Sequence, residues 1–286
     1  MRIPVGDVGL WFDVDGASLV AVDNVMVERK TIVVLHGGPG FDHSYLKPEL
    51  QALAEHAQIV FLDQRGQGRS DPGNPGDWHI DQWADDVAMF CRALGIEKPI
   101  LLGHSFGGIV ALATAVRHPE LASGLVILAS AANVQRDAVI ARFGELGGPD
   151  AAGAASALFA RPDDEAAFAG FAQFCFPLYA KDPAKMMAKL GLSIQRPEVQ
   201  AHFFRPGGEF GRFDYRAGLG ECNTPTLMLH GQLDPIIPLA FAEATASCFP
   251  VGVARLTAYE GCAHDLIGDN WVEVHAVISS FVKSLP

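Results

Sequence analysis

Gly103-His104-Ser105-Phe106-Gly107 follows the apolar run Pro99-Ile100-Leu101-Leu102 and leads into Gly108-Ile109-Val110-Ala111-Leu112-Ala113-Thr114-Ala115, a stretch of helical character. A buried strand that turns sharply into a helix between glycines lifts the central hydroxyl to a strained, exposed apex, with a helix N-terminus behind it. The Ser105 backbone must take an unusual φ/ψ while the residues two positions to either side approach closely, which glycine permits. G-x-S-x-G alone also occurs in structural turns. The strand before it and the helix after it are what point to a nucleophile.

Outward from this turn, short apolar runs alternate with helical patterns, which predicts an α/β fold. Candidate strands are Leu10 to Val14, Ser18 to Val22, Thr31 to Leu35, Ile59 to Leu62, Ile100 to Leu102, Leu125 to Leu128, Thr226 to Leu229 and Val253 to Leu256. Helical spacing marks Glu49 to Ala57, Asp81 to Leu94, Phe106 to Arg117 and Trp271 to Leu285. The expected architecture is a mostly parallel eight-stranded sheet with helices on both faces. The rhythm stops after Leu128 and resumes at Thr226, so residues 131–222 are expected to form a helical cap inserted in a core of residues 1–130 and 223–286. Ten of the eighteen Phe fall in that insertion and none of the four Trp does. Most of these rings build the insertion's own core, while Phe174, Phe176 and Phe204 are the candidates for lining a substrate cavity beneath it.

At 286 residues and 49% hydrophobic, with 19% charged, the chain can bury a large core. A net charge of −12 without a Lys/Arg cluster disfavours nucleic acid and anionic membrane as partners. Five scattered cysteines without a C-x-x-C pair suit a reduced interior, and no apolar run reaches spanning length, so a cytoplasmic location is expected. No metal, nucleotide or flavin motif is found, and the expected reaction is cofactor-free, on a small-molecule or short peptide substrate.

A serine hydroxyl needs a His to take its proton and a carboxylate to orient that His. Thr226-Leu227-Met228-Leu229 is followed by His230-Gly231-Gln232-Leu233-Asp234, which sets Asp234 in the loop at the carboxyl end of a strand. After the last strand, Glu260-Gly261-Cys262-Ala263-His264-Asp265 carries His264 ahead of the final helix. Among ten histidines, His275 lies within a helix pattern, His118 precedes Pro119, and His104 sits beside the nucleophile pointing elsewhere. Asp265, adjacent to His264, is poorly placed to meet its Nδ1. The catalytic set is therefore Ser105, Asp234 and His264, in the chain order of α/β-hydrolases. An oxyanion needs backbone donors, and these are assigned to Phe106 N–H and to Gly38 N–H of His36-Gly37-Gly38-Pro39-Gly40, with Gly37 as the fallback and a substrate neighbour.

His36-Gly37-Gly38-Pro39-Gly40, then Asp63-Gln64-Arg65-Gly66-Gln67-Gly68-Arg69-Ser70, then the Ser105 turn together resemble the proline iminopeptidase branch of the α/β-hydrolase superfamily. The likeness runs through about two thirds of the chain. It implies a serine peptidase or esterase, with the Asp63 to Ser70 loop tied down by its Asp/Arg pair in a structural role. Proline iminopeptidases are similar to one another in reading the free amine with cap carboxylates, typically in a Trp-Glu context, and the insertion here has no Trp. Its acids, including Glu145, Asp163, Asp164, Glu165, Glu209 and Asp214, read as solvated helix surface. The Gly-His-Ser-Phe-Gly-Gly turn is also similar to that of esterases, lactonases and carbon–carbon bond hydrolases.

Three functions follow in order. The first is a proline iminopeptidase-like serine hydrolase of small amides or esters. The second is a carboxylesterase or lactonase acting on an uncharged, apolar substrate. The third is a non-catalytic small-ligand binding protein on the same fold. Ser at position 105 excludes an Asp-nucleophile dehalogenase or epoxide hydrolase.

Overall fold

The computed structural model describes residues 1–286. Its strands are β1 (Arg2–Val5), β2 (Val8–Asp15), β3 (Leu19–Val22), β4 (Val25–Glu28), β5 (Thr31–Leu35), β6 (Gln58–Leu62), β7 (Ile100–His104), β8 (Gly124–Leu128), β9 (Thr226–Gly231) and β10 (Ala254–Tyr259). Eight of them form one sheet in the order β1-β2-β6-β5-β7-β8-β9-β10, with β1 and β2 antiparallel at one edge and the other six parallel.

The number of strands in the sheet is as expected, but its membership differs. Ser18 to Val22 does not join the sheet; its residues from Leu19 pair with β4 in a separate hairpin turned by Asp23 and Asn24, both at positive φ. The place at the edge goes to Arg2–Val5, pulled in by an antiparallel register with Val8–Trp11.

Strands buried on both faces need apolar residues at every position. Val33 and Leu35 of β5 point to one face while Ile32 and Val34 point to the other, and Leu101 and Leu102 of β7 divide likewise. The first face is covered by α2 (Ile80–Leu94) and α3 (Phe106–Arg117). The second packs on α1 (Lys47–Leu50) and on the last helix, through Leu50, Val274, Ile278 and Val282. Each fully buried aliphatic side chain contributes about 1.5–3 kcal/mol, so this two-sided burial is the main force holding the sheet.

Between β8 and β9 lie α4 (Arg136–Ala160, broken at Gly148), α5 (Glu165–Phe174), α6 (Pro183–Leu190), α7 (Pro197–Phe204) and α8 (Arg216–Leu219). The chain closes with α9 (Leu239–Ala246) and α10 (Leu266–Ser284). No helix is long and apolar enough to cross a membrane.

The Asp63 to Ser70 loop, which follows β6, is tied to α2 and to the turn at His43. Arg65, almost fully buried, forks onto Asp86 of α2 at 2.7 and 2.8 Å, and Asp63 joins His43 Nδ1 at 2.6 Å. A buried bidentate pair fixes geometry as well as charge.

Candidate active site

In an open α/β sheet the crevice for a ligand lies beyond the carboxyl ends of the strands, where the strand order reverses. Here β6 flanks β5 on one side and β7 on the other, so the loops after β5 and β7 open that crevice. Ser105 stands in it at φ 54°, ψ −120°, as the cap of α3. A Cβ on Gly103 would lie 2.3 Å from the Gly107 carbonyl oxygen, and one on Gly107 would lie 2.0 Å from that of Leu35. Backbone cannot yield at such distances, and this is why the turn requires glycine on both sides.

The loops after β9 and β10 bring the partners. His264 Nε2 lies 2.9 Å from Ser105 Oγ, and His264 Nδ1 lies 2.8 Å from Asp234 Oδ2. Asp234 is completely buried, and its other oxygen accepts the Ile236 and Ile237 N–H groups at 2.9 and 2.8 Å. Burial opposes ionisation of Asp234, yet the facing His264 and these donors hold its carboxyl below the usual carboxylate range. An ionised Asp234 accepts a hydrogen bond from Nδ1–H, which leaves the Nε2 lone pair facing the serine O–H. Asp265 is turned away from the His264 ring, pairing with Lys189 at 3.0 Å and capping α10.

Phe106 begins α3, so its N–H is among the four at a helix start without an intrahelical acceptor. Gly38 N–H has no acceptor within the chain, whereas Gly37 N–H is already given to Tyr45 OH at 2.8 Å. Gly38 and Phe106 thus have the free donors, and Gly37 does not.

Above Ser105 the inserted helices close an apolar cavity. Phe176 and Phe204 are on its wall, as are Phe159, Phe168 and Phe171, together with Tyr45 and Tyr179 of the loops. Phe174 is not on the wall and is 38% exposed, which corrects the expectation from sequence. Phe168, Phe171 and Phe174 follow one another at three-residue steps on α5, and each step rotates the side chain by about 60°, so the third ring has left the face of the first. None of the insertion acids named above touches the cavity: Asp164 caps α5, Glu145 and Asp214 pair with Arg142 and Arg216, and Glu209 accepts from Ile80 N–H. The wall's one carboxylate is Asp265, and it is held by Lys189. Tyr45 and Lys189 carried no sequence signal, since each meets the site only through the packing of distant elements.

The family model described as alpha/beta hydrolase fold matches residues 30–270. A Yersinia enterocolitica protein named "Putative carbamate hydrolase RutD" is 25% identical over 291 residues, covering 96% of this chain and 92% of its own. A proline iminopeptidase of Saccharolobus solfataricus is 36% identical over 108 residues, covering 37% of this chain and 35% of its own. Among solved structures, a proline iminopeptidase-related protein from Thermus thermophilus superposes with a TM-score of 0.76 at 26% identity, covering 100% of this chain and 97% of that one. The chain is a member of the α/β-hydrolase fold family, a hydrolase related to the proline iminopeptidases.

Proposed function

We propose that this hydrolase is a serine hydrolase acting through an acyl-enzyme on Ser105, with a small ester or amide as substrate. The observation that carries the reading is the unbroken hydrogen-bond chain from Ser105 Oγ through His264 to buried Asp234. In this mechanism His264 Nε2 takes the Ser105 proton as Oγ attacks the carbonyl carbon, and Asp234 stabilises the imidazolium. Gly38 and Phe106 N–H donate to the oxyanion. His264 then protonates the leaving group, and afterwards activates the water that releases the acid. Residues 131–222 act as a cap over a core of 1–130 and 223–286, and exclude bulk water from the reaction.

The cavity supports an apolar substrate without a free ammonium group. Its wall is mostly aromatic and aliphatic, and the single carboxylate there is already paired with Lys189. This favours carboxylesterase, lactonase or carbamate-type cleavage. N-terminal prolyl cleavage is the second reading, favoured by the likeness to the Saccharolobus enzyme. A turnover panel of short-chain esters, lactones, aryl carbamates and unblocked proline and alanine anilides, with Ser105→Ala as control, decides between them. Neutral esters are expected to exceed the anilides in kcat/KM by at least about tenfold, the size of one lost polar pairing. Preference for unblocked proline reverses the order.

A further inference from the structure

The residue before the nucleophile does not point away from the site. His104 Nδ1 lies 2.9 Å from Tyr45 OH, and His104 Nε2 lies 3.4 Å from the backbone oxygen of His264. Tyr45 OH in turn receives Gly37 N–H at 2.8 Å. The proton positions follow from the ends of this chain. The His264 carbonyl can only accept, so His104 Nε2 carries the hydrogen. Both Tyr45 and His104 are buried, and burial pushes the His104 pKa down to about 3, which keeps the ring neutral and leaves Nδ1 a lone pair. Nδ1 then accepts the Tyr45 O–H, whose oxygen accepts from Gly37. Each of the three hydrogen bonds then has one direction.

We infer that Tyr45 and His104 form a relay that holds the oxyanion loop, the nucleophile turn and the His264 loop in register, both acting as positioning residues for the reaction. The three loops follow β5, β7 and β10, and no backbone hydrogen bond joins the first of them to the third. With Gly37 N–H taken by Tyr45, the Gly37–Gly38 segment is held where a Cβ on Gly37 would begin 3.1 Å from Ser105 Cβ and 2.6 Å from Tyr45 OH. Gly38 N–H is left unpaired beside it. Without the hydroxyl, Gly37 N–H loses its acceptor and the loop can turn that amide into the crevice, misplacing the oxyanion donors. The effect belongs to the transition state, because the oxyanion forms only there.

This inference rests on the serine-hydrolase reading, and its test separates the two. Tyr45→Phe, His104→Phe and their double variant are assayed on a neutral p-nitrophenyl ester, alongside the rate of Ser105 labelling by a fluorophosphonate. Tyr45→Phe keeps the ring and removes only the hydroxyl. Each single variant is expected to lower kcat by about 10- to 100-fold with KM within about twofold, as for a misplacement on the order of 1 Å. The double variant should be no slower than the worse single one, because one relay is cut either way. His104→Asn, whose Oδ1 can still accept the Tyr45 proton, should recover part of the loss. Tyr259→Phe, which removes a buried hydroxyl that has no partner, should match the wild type.

Losses that multiply in the double variant, a change carried by KM, or wild-type kcat in Tyr45→Phe would overturn the relay while labelling of the wild type upholds the nucleophile. A wild type that does not label refutes the serine-hydrolase reading and the relay with it. Should Tyr45→Phe fail to fold, equal losses in His104→Phe and His104→Asn overturn the relay by themselves.

Discussion

Ser105→Ala is expected to lower turnover of any substrate by a factor of about 10⁴–10⁶ while leaving the fold intact. The substitution removes one atom, the oxygen that becomes covalently bound in the proposed acyl-enzyme. What remains is the binding pocket and the proposed oxyanion donors, whose residual contribution caps the loss. Stability should not suffer. The Ser105 side chain makes no capping bond to α3, its hydroxyl pairs only with His264, and Ala carries the same Cβ at φ 54°. Steady-state kinetics and a thermal melt check both halves. Turnover within tenfold of wild type would remove Ser105 from the mechanism.

Asp234→Asn should cost nearly as much, about 10⁴ in kcat, though an amide replaces a carboxyl of almost identical shape. The reason lies in what each oxygen of Asp234 does. Oδ1 accepts from Ile236 and Ile237, and an amide satisfies both only by placing its own oxygen there. Its NH2 group then faces His264 Nδ1 and donates to it. The imidazole proton must move to Nε2, where it points at the Ser105 oxygen, and the base has no lone pair to offer. A mild loss with unchanged structure would mean that another group orients His264. His230 also faces this carboxyl, with its Nε2 2.7 Å from the Ile237 carbonyl oxygen and 3.5 Å from Asp234 Oδ2.

That the Ser105 turn, the Gly37–Gly38 loop, Asp234 and His264 come together was legible because each sits at a fixed place on a strand end. Gly103 and Gly107 are dictated by backbone contact, and such contact leaves a pattern in sequence. The strands with both faces buried were equally plain, being runs of aliphatic residues. Arg2–Val5 was not, because a four-residue run that contains a Pro is too short to stand out and only pairing with β2 makes it a strand. Leu19–Val22 misled for the opposite reason: its composition suits a sheet, but its residues are largely exposed in a hairpin with β4. The inserted helices were the least legible part. Phe174 and Phe176 are two positions apart, yet only the second reaches the cavity, since the end of α5 and the turn that follows decide which way each ring faces. Tyr45 lay wholly outside pattern reading. It sits in a short 3-10 turn eight residues beyond Gly37, and nothing local says that its hydroxyl meets that amide.

The most direct test of the whole reading is covalent. Wild-type protein treated with a fluorophosphonate and followed by intact-mass and peptide mass spectrometry should gain one adduct, located on Ser105. Ser105→Ala should gain none, and His264→Ala should label slower by about 10³-fold or more, because the hydroxyl then lacks its base. An adduct on any other residue, or labelling of His264→Ala at the wild-type rate, would contradict a Ser105 nucleophile activated by His264.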